Sequence, residues 1–325
     1  MILNAGHEGV YTVGGQKARL RVRLESRFTV FSEDCFGGRL DSAKGHPREV
    51  APYPFVNPLA GPIHVDGVGA GDTIALHICG LEPAREWGVA TISPDFGLLS
   101  STRGSPTLQD PQAEHVWIWR VAGDELVTDT AQGRQLRAPL DPFLGTLGVA
   151  PAHGHVVPSV ALGDYGGNLD LPMLTTGATL YLTSHVDGAH VHVGDGHYVQ
   201  GDGEIAGTAV EGAMNTTLVA GRIDAPLDGA LDWPRIETDA EIGVIGVGRP
   251  MENAMRVAAA GLVRWVANLC DLPLADAHQL VSQCGRFRVG NLVNPEYSVT
   301  CTLPKRWLPG APEAMGGMHR RLRSI

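Results

Sequence analysis

The chain has 325 residues, 43% hydrophobic and 18% charged, which is the composition of a globular protein and not of a disordered one. A formal net charge of −10 and a pI near 5.7, with the arginines scattered, offer no basic footprint for a phosphate backbone, so nucleic acid is not an expected partner. Five dispersed cysteines, never spaced Cys-x-x-Cys, argue against a disulfide framework or a thiolate zinc knuckle.

The first residues lack the basic stretch and apolar core of a signal peptide. No apolar run approaches the roughly 18 residues of a membrane span, so no membrane is expected and the cytoplasm is the expected compartment. In chain order, residues 18–31 read as one half-buried strand, with Leu20, Val22 and Leu24 opposite Arg19, Arg21 and Arg23. Further strands are expected over 63–65, 73–81, 115–121 and 125–128, the last two joined by Ala122-Gly123-Asp124. The middle third adds 178–183, 189–193 and 216–223, again between Gly-rich turns.

Helical spacing appears late. Met251, Met255, Ala258, Leu262, Trp265, Val266 and Leu269 recur every three or four residues within 250–270. A second helix is expected over 273–284, with Pro273 at its start and Gly285 just past its end. Strands resume over 289–293 and 298–303. No strand–helix alternation runs through the chain, which rules against a doubly wound α/β sheet. The expected fold is mainly β (α+β), a multi-strand sandwich or barrel-like core with two late helices. It forms one catalytic unit over 1–305, with two β subdomains meeting near 150–165 and a polar tail over 306–325. Strand edges need covering, so a homodimer or a higher even oligomer is expected.

The P-loop, the dinucleotide glycine loop, His-Glu-x-x-His and Gly-x-Ser-x-Gly are all absent. What stands out is the stretch 164–211, which gathers Asn168, Asp170, His185, Asp187, His190, His192, Asp195, His197, Gln200, Asp202, Glu204 and Glu211 among glycines. Six of the 13 histidines fall between His153 and His197. Imidazoles and carboxylates one or two residues apart are the donors a divalent cation needs, and glycine lets the backbone turn tightly enough to bring them together. Any single Asp-Gly pair here is an ordinary turn. His190 and His192 share a strand face that reads equally as solvated or as a ligand pair.

The segments Gly166-Gly167-Asn168-Leu169-Asp170, Gly194-Asp195-Gly196-His197 and Gln200-Gly201-Asp202-Gly203-Glu204 resemble the acetamidase/formamidase family. Glu33-Asp34 with Phe36-Gly37-Gly38, Asn57-Pro58 through Gly61-Pro62-Ile63 and Gly71-Asp72-Thr73, Pro94-Asp95-Phe96-Gly97, and Asn294-Pro295 through Leu303-Pro304-Lys305 agree in order and spacing. Each motif alone is weak, and the collinear set, from about Arg19 to Lys305, is strong. His190 and the basic tail after Lys305 depart from the pattern.

The resemblance implies a β-rich fold with a buried acidic site, hydrolysis of small amides to carboxylate and ammonia, and a divalent metal, zinc first. Asp34, Asp170 and His197 are the first candidates for its ligands, with His64 and Asp195 in reserve. Glu204 is the candidate proton shuttle, and Asn168 or Gln200 would orient the amide. Cys35 is the alternative nucleophile, although its acidic neighbours would raise its pKa. A metal-dependent hydrolase of a lactam, cyclic imide or ureido compound, or a non-catalytic metal- or amine-binding protein, would use the same residues.

Overall fold

The computed structural model describes residues 2–3, 9–94, 96–99, 113–223, 231–310 and 312–325. Asp95, which belongs to one of the family-like motifs, lies outside them.

Among the described residues the strands form two large sheets. The nine-stranded sheet runs Ile2–Leu3, Arg27–Ser32, Met214–Ile223, Thr73–Pro83, Thr179–Thr183, Arg235–Glu237, Glu241–Gly248, Tyr297–Pro304 and Arg286–Val289. The eleven-stranded sheet is built round Val191–Val199, which pairs on one side with Phe143–Gly148 and on the other with Leu59–Asp66 and Val210–Glu211. Both sheets draw strands from either side of residues 150–165.

Alternating side chains give the nine-stranded sheet two apolar faces. Leu76, Ile78, Leu180, Leu182 and Leu218 face the other sheet and meet Leu59, Ile63, Leu144, Leu147, Val191 and Val193. Ala75, Tyr181 and Val219, their neighbours in sequence, point outward into a second core. The helix Met251–Cys270 covers that face with Ala254, Ala258, Leu262 and Val266. A Cβ on Gly246 would stand 2.1 Å from the Ala254 carbonyl, so glycine there lets the helix lie directly on the strand. The architecture is sheet on sheet with a helical layer outside, mainly β as the patterning predicted.

Three expectations need correcting. Residues 18–31 are two strands, Leu20–Arg23 and Arg27–Ser32, separated by a turn in which Glu25 has φ 56°. They enter different sheets, so the alternation that looked continuous serves two cores. Gly285 does stand just past the helix Leu274–Cys284, as expected, with an extended backbone, φ −70°. Its absent side chain matters for space, since a Cβ would meet the Val281 carbonyl at 2.5 Å. The late strand expected over 289–293 lies earlier, at Arg286–Val289. Finally, the polar tail is folded: Met318 and Leu322 on the helix Met318–Arg323 are buried in the second core, while Arg320, Arg321 and Arg323 stay at the surface.

Candidate active site

The strand Val191–Val199 carries Asp195 and His197 two residues apart, on the same face. Opposite His197 in the ladder is Glu211, on Val210–Glu211. Asp170 follows the short strand Gly166–Asn168 and hangs from the neighbouring strand through its N–H, which donates to the Gly145 carbonyl at 3.0 Å. Glu204 sits in the turn after the long strand. That turn is pinned by hydrogen bonds from Gly203 N–H to the Val289 and Gly290 carbonyls and from Leu292 N–H to the Gly203 carbonyl.

These five side chains converge. They are between 1% and 6% exposed, and ligand-type atoms of Asp170, Asp195 and His197, and likewise of His197, Glu204 and Glu211, lie within 4.8 Å of one another. His197 Nε2 stands 3.3 Å from Asp195 Oδ2 and 3.4 Å from Glu211 Oε2, and the Phe143 ring packs edge-on against the imidazole. Three of the four acids have left-handed backbones: Asp170 at φ 48°, Asp195 at 56° and Glu204 at 48°. That conformation costs a non-glycine residue roughly 1–2 kcal/mol, so the surrounding structure holds these carboxylates in place against a local preference.

Electrostatics make the cluster costly when it stands alone. Burial, opposed by His197 and reinforced by Glu211 and Asp195, pushes the Glu204 carboxyl up to about 8. Burial, opposed by His197 and reinforced by Asp195, pushes Glu211 up to about 7. Burial, with Glu204 and Asp195 adding to it, holds Asp170 well above the usual carboxylate range. For His197 burial works against the charged form, but Glu211 and Asp195 outweigh it and keep the imidazole protonated well above its ordinary value. Among the described residues no lysine or arginine ion-pairs with these four acids.

The donors suit a divalent cation: four carboxylates supply hard oxygens and one imidazole a borderline nitrogen. Asp170 Oδ1, Glu211 Oε2 and His197 Nδ1 are buried without a hydrogen-bond partner. Unsatisfied buried carboxylate oxygens of this kind are normally occupied. A cation would replace the protons that the acids otherwise retain.

Asp195, Glu204 and Glu211 of the cluster line a cleft of about 740 Å³, together with Cys35, Asn57, Asn168 and Asn294. A polar scaffold supports Asp170 from the side. Asn57 Nδ2 donates to Asn168 Oδ1 at 2.7 Å, Asn168 Nδ2 donates to Asp170 Oδ2 at 3.1 Å, and Asn294 Nδ2 donates to the same oxygen at 2.6 Å.

Asp170, His197, Asp195 and Glu204 therefore come together as the sequence pattern anticipated, whereas Asp34 and His64 do not join them. Both Asp34 oxygens are occupied: Oδ1 accepts the N–H groups of Phe36 and Gly38, and Oδ2 pairs with Arg85. Asp34 shapes the turn that presents Cys35 to the cleft. His64 lies over Gly188, with Nε2 3.5 Å from Asp66 Oδ1 and its ring 6.0 Å from that of His190. Of the two amides expected to orient substrate, Gln200 keeps Oε1 buried without a partner and Asn168 keeps no free end. Asn168 spends both ends on the scaffold, and Gln200 donates Nε2 to the Asp170 and Gly290 carbonyls.

His190 and His192 do not share a face. The strand begins only at Val191; His190 has φ 53°, while His192 is buried and bonds the His190 carbonyl. Asp202 points to the surface and pairs with Arg288. Glu211 stood in the acidic stretch 164–211 but was not assigned as a ligand, and Asn57 and Asn294 stood in family-like motifs without an assigned role.

A model of the Acetamidase/Formamidase family matches residues 155–223, the segment holding all five converging side chains. An acetamidase from Yersinia enterocolitica has the same fold, with a TM-score of 0.88 and 34% identity over 94% of this chain and 92% of that one. The chain belongs to the acetamidase/formamidase family. A second member structure, an acetamidase from Bacillus halodurans, aligns at TM-score 0.84 and 26% identity over 94% of this chain and 98% of that one. A formamidase of Methylophilus methylotrophus is 26% identical over 229 residues, 57% of this chain and 56% of that protein. The chain spans about half the length of the curated relatives it matches.

Proposed function

We propose that this member of the family hydrolyses the C–N bond of linear primary amides, releasing ammonia and a carboxylate, at the cluster around His197. One observation carries the reading: four buried carboxylates gather round a single imidazole, and three of them line an open cleft, in a chain of the acetamidase/formamidase family. A divalent cation, zinc first, is part of the proposal, with Asp170, Asp195, His197 and Glu211 as its holders. When bound, such an ion supplies a Lewis acid for the carbonyl and makes hydroxide available near neutral pH.

The chain's own residues would do the rest. Glu204, which lines the cleft beside His197 and Glu211, is placed to accept a proton from the attacking water and return it to the departing nitrogen. Asn57, Asn168 and Asn294 fix the angle of Asp170. Nucleophilic attack by Cys35 is the weaker reading. Burial, followed by Glu211, Asp195 and Asp34, pushes its thiol well above the ordinary value, which leaves little thiolate at neutral pH. We further propose that the protein acts in the cytoplasm as a homodimer or a multiple of one. The strand Arg286–Val289, with Phe287 exposed, ends the nine-stranded sheet and leaves an edge for a second copy to cover.

Ammonia release from formamide, acetamide and propionamide tests the reading directly. Release that is lost on exhaustive chelation and restored by a divalent ion is the expected result. Silence towards every amide from protein carrying stoichiometric metal would overturn it.

A further inference from the structure

We infer that the preferred substrate is a primary amide with an apolar acyl group much larger than acetyl, held by the cleft above the acids. This inference rests on the amide-hydrolase reading and adds the class of acyl group. The cleft measures about 740 Å³. Acetamide, with four heavy atoms, fills on the order of 120 Å³ at the share of space a water takes in the liquid. A formyl or acetyl amide seated at Asp195, Glu204 and Glu211 would leave most of the cleft empty. The volume instead falls in the range of roughly 300–1,000 Å³ typical of sites that enclose ligands of many more atoms.

The walls specify what fills it. Their apolar part is formed by Phe36, Pro52, Val56, Phe96, Leu292 and Val293. An acyl group seated against these apolar side chains would be desolvated without compensation if it bore hydroxyl or charged substituents there, whereas Arg48, Ser93, Thr208 and Arg249 place polar groups elsewhere on the lining. The rim continues the pattern. Of the 12 large hydrophobics exposed among the described residues, Tyr53, Phe55, Phe96, Leu98, Leu99 and Ile205 lie on or beside the segments that line this cleft. Tyr53 and Phe96 line the cleft itself, and the other four, among the described residues, are next or near in sequence to residues that do. Such a concentration marks a groove that apolar matter covers.

Each methylene moved from water onto these walls should raise kcat/KM by roughly fourfold, the full transfer value, and by less where contact is incomplete. The test is kcat/KM for wild-type, metal-loaded protein with acetamide, butyramide, hexanamide and phenylacetamide. A rise of about 10–100-fold from acetamide to hexanamide or phenylacetamide is expected. A flat or falling series, with acetamide hydrolysed, would overturn the inference and leave the amide-hydrolase reading standing. No ammonia from any of the four would overturn both. Val160 also lines the cleft, so Val160→Trp should cut the ratio of hexanamide to acetamide kcat/KM by at least about tenfold. An unchanged ratio in a folded variant would place the acyl group elsewhere.

Discussion

Gly145 faces the carboxylate of Asp195: a Cβ on this glycine would stand 2.4 Å from Asp195 Oδ2 and 2.9 Å from Asp170 Oδ1. Gly145 lies in the middle of the strand Phe143–Gly148 and is not among the glycines with positive φ. Its role is therefore to leave space for two acids to approach each other, not to permit an unusual backbone. Gly145→Ala should displace both carboxylates and lower activity by roughly 10²-fold, the scale of an ångström-sized misplacement. Crowding at a packed site should also cost about 1–3 kcal/mol of stability. Elemental analysis should find reduced metal, and full occupancy with wild-type turnover would show that the two acids need no such room.

Glu204→Gln keeps the shape of the side chain and removes its capacity to carry a proton. A fall in kcat of roughly 10²–10⁴-fold is expected, with metal content close to wild type because the other acids and His197 remain. Loss of the metal together with activity would instead make Glu204 a ligand, consistent with its place beside His197 and Glu211.

The raised carboxyls predict a pH dependence that the metal should reverse. Glu204 and Glu211 have folded-state values of about 8 and about 7, against 4.5 for the ordinary group. Their contribution to stability is complete below about pH 4.5 and is lost as pH rises through 7 and 8. His77 and His192, each pushed down to about 4 chiefly by burial, act oppositely below pH 6.5, so the comparison must be made with and without metal. The gain in Tm on adding a divalent ion to chelated protein should grow from pH 5 to pH 8. A gain independent of pH would mean that the ion does not displace these protons.

Asp34→Asn tests the separation between the turn and the cluster. It breaks the buried pair with Arg85, which should destabilise the fold by roughly 3 kcal/mol. Metal per folded molecule should be unchanged, and loss of metal in a folded variant would return Asp34 to the ligand set.

Cys35→Ala should retain turnover within a few-fold, because the buried thiol lines the cleft without being a usable nucleophile. Burst kinetics in wild-type protein and a dead alanine variant would revive nucleophilic catalysis.

Local information settled much of this. The period of two in the strands, the period near 3.6 in the helix Met251–Cys270 and the Gly-rich turns are properties of neighbouring residues, and they made a mainly β fold with late helices legible. The density of acids and histidines over 164–211 likewise located the site. Tertiary structure decided which acids meet. Asp34 and Asp170 looked equivalent as buried aspartates, yet Arg85 neutralises one and three asparagines brace the other with an oxygen left open. Glu211 reaches His197 across a ladder, and Asn294 reaches Asp170 from 124 residues away, relationships that no spacing encodes. The same holds for the tail, whose arginines dominate its composition while Met318 and Leu322 determine where it lies. Periodicity is written within one segment, but charge compensation and burial depend on what other segments bring to the same point, and only the folded chain decides that.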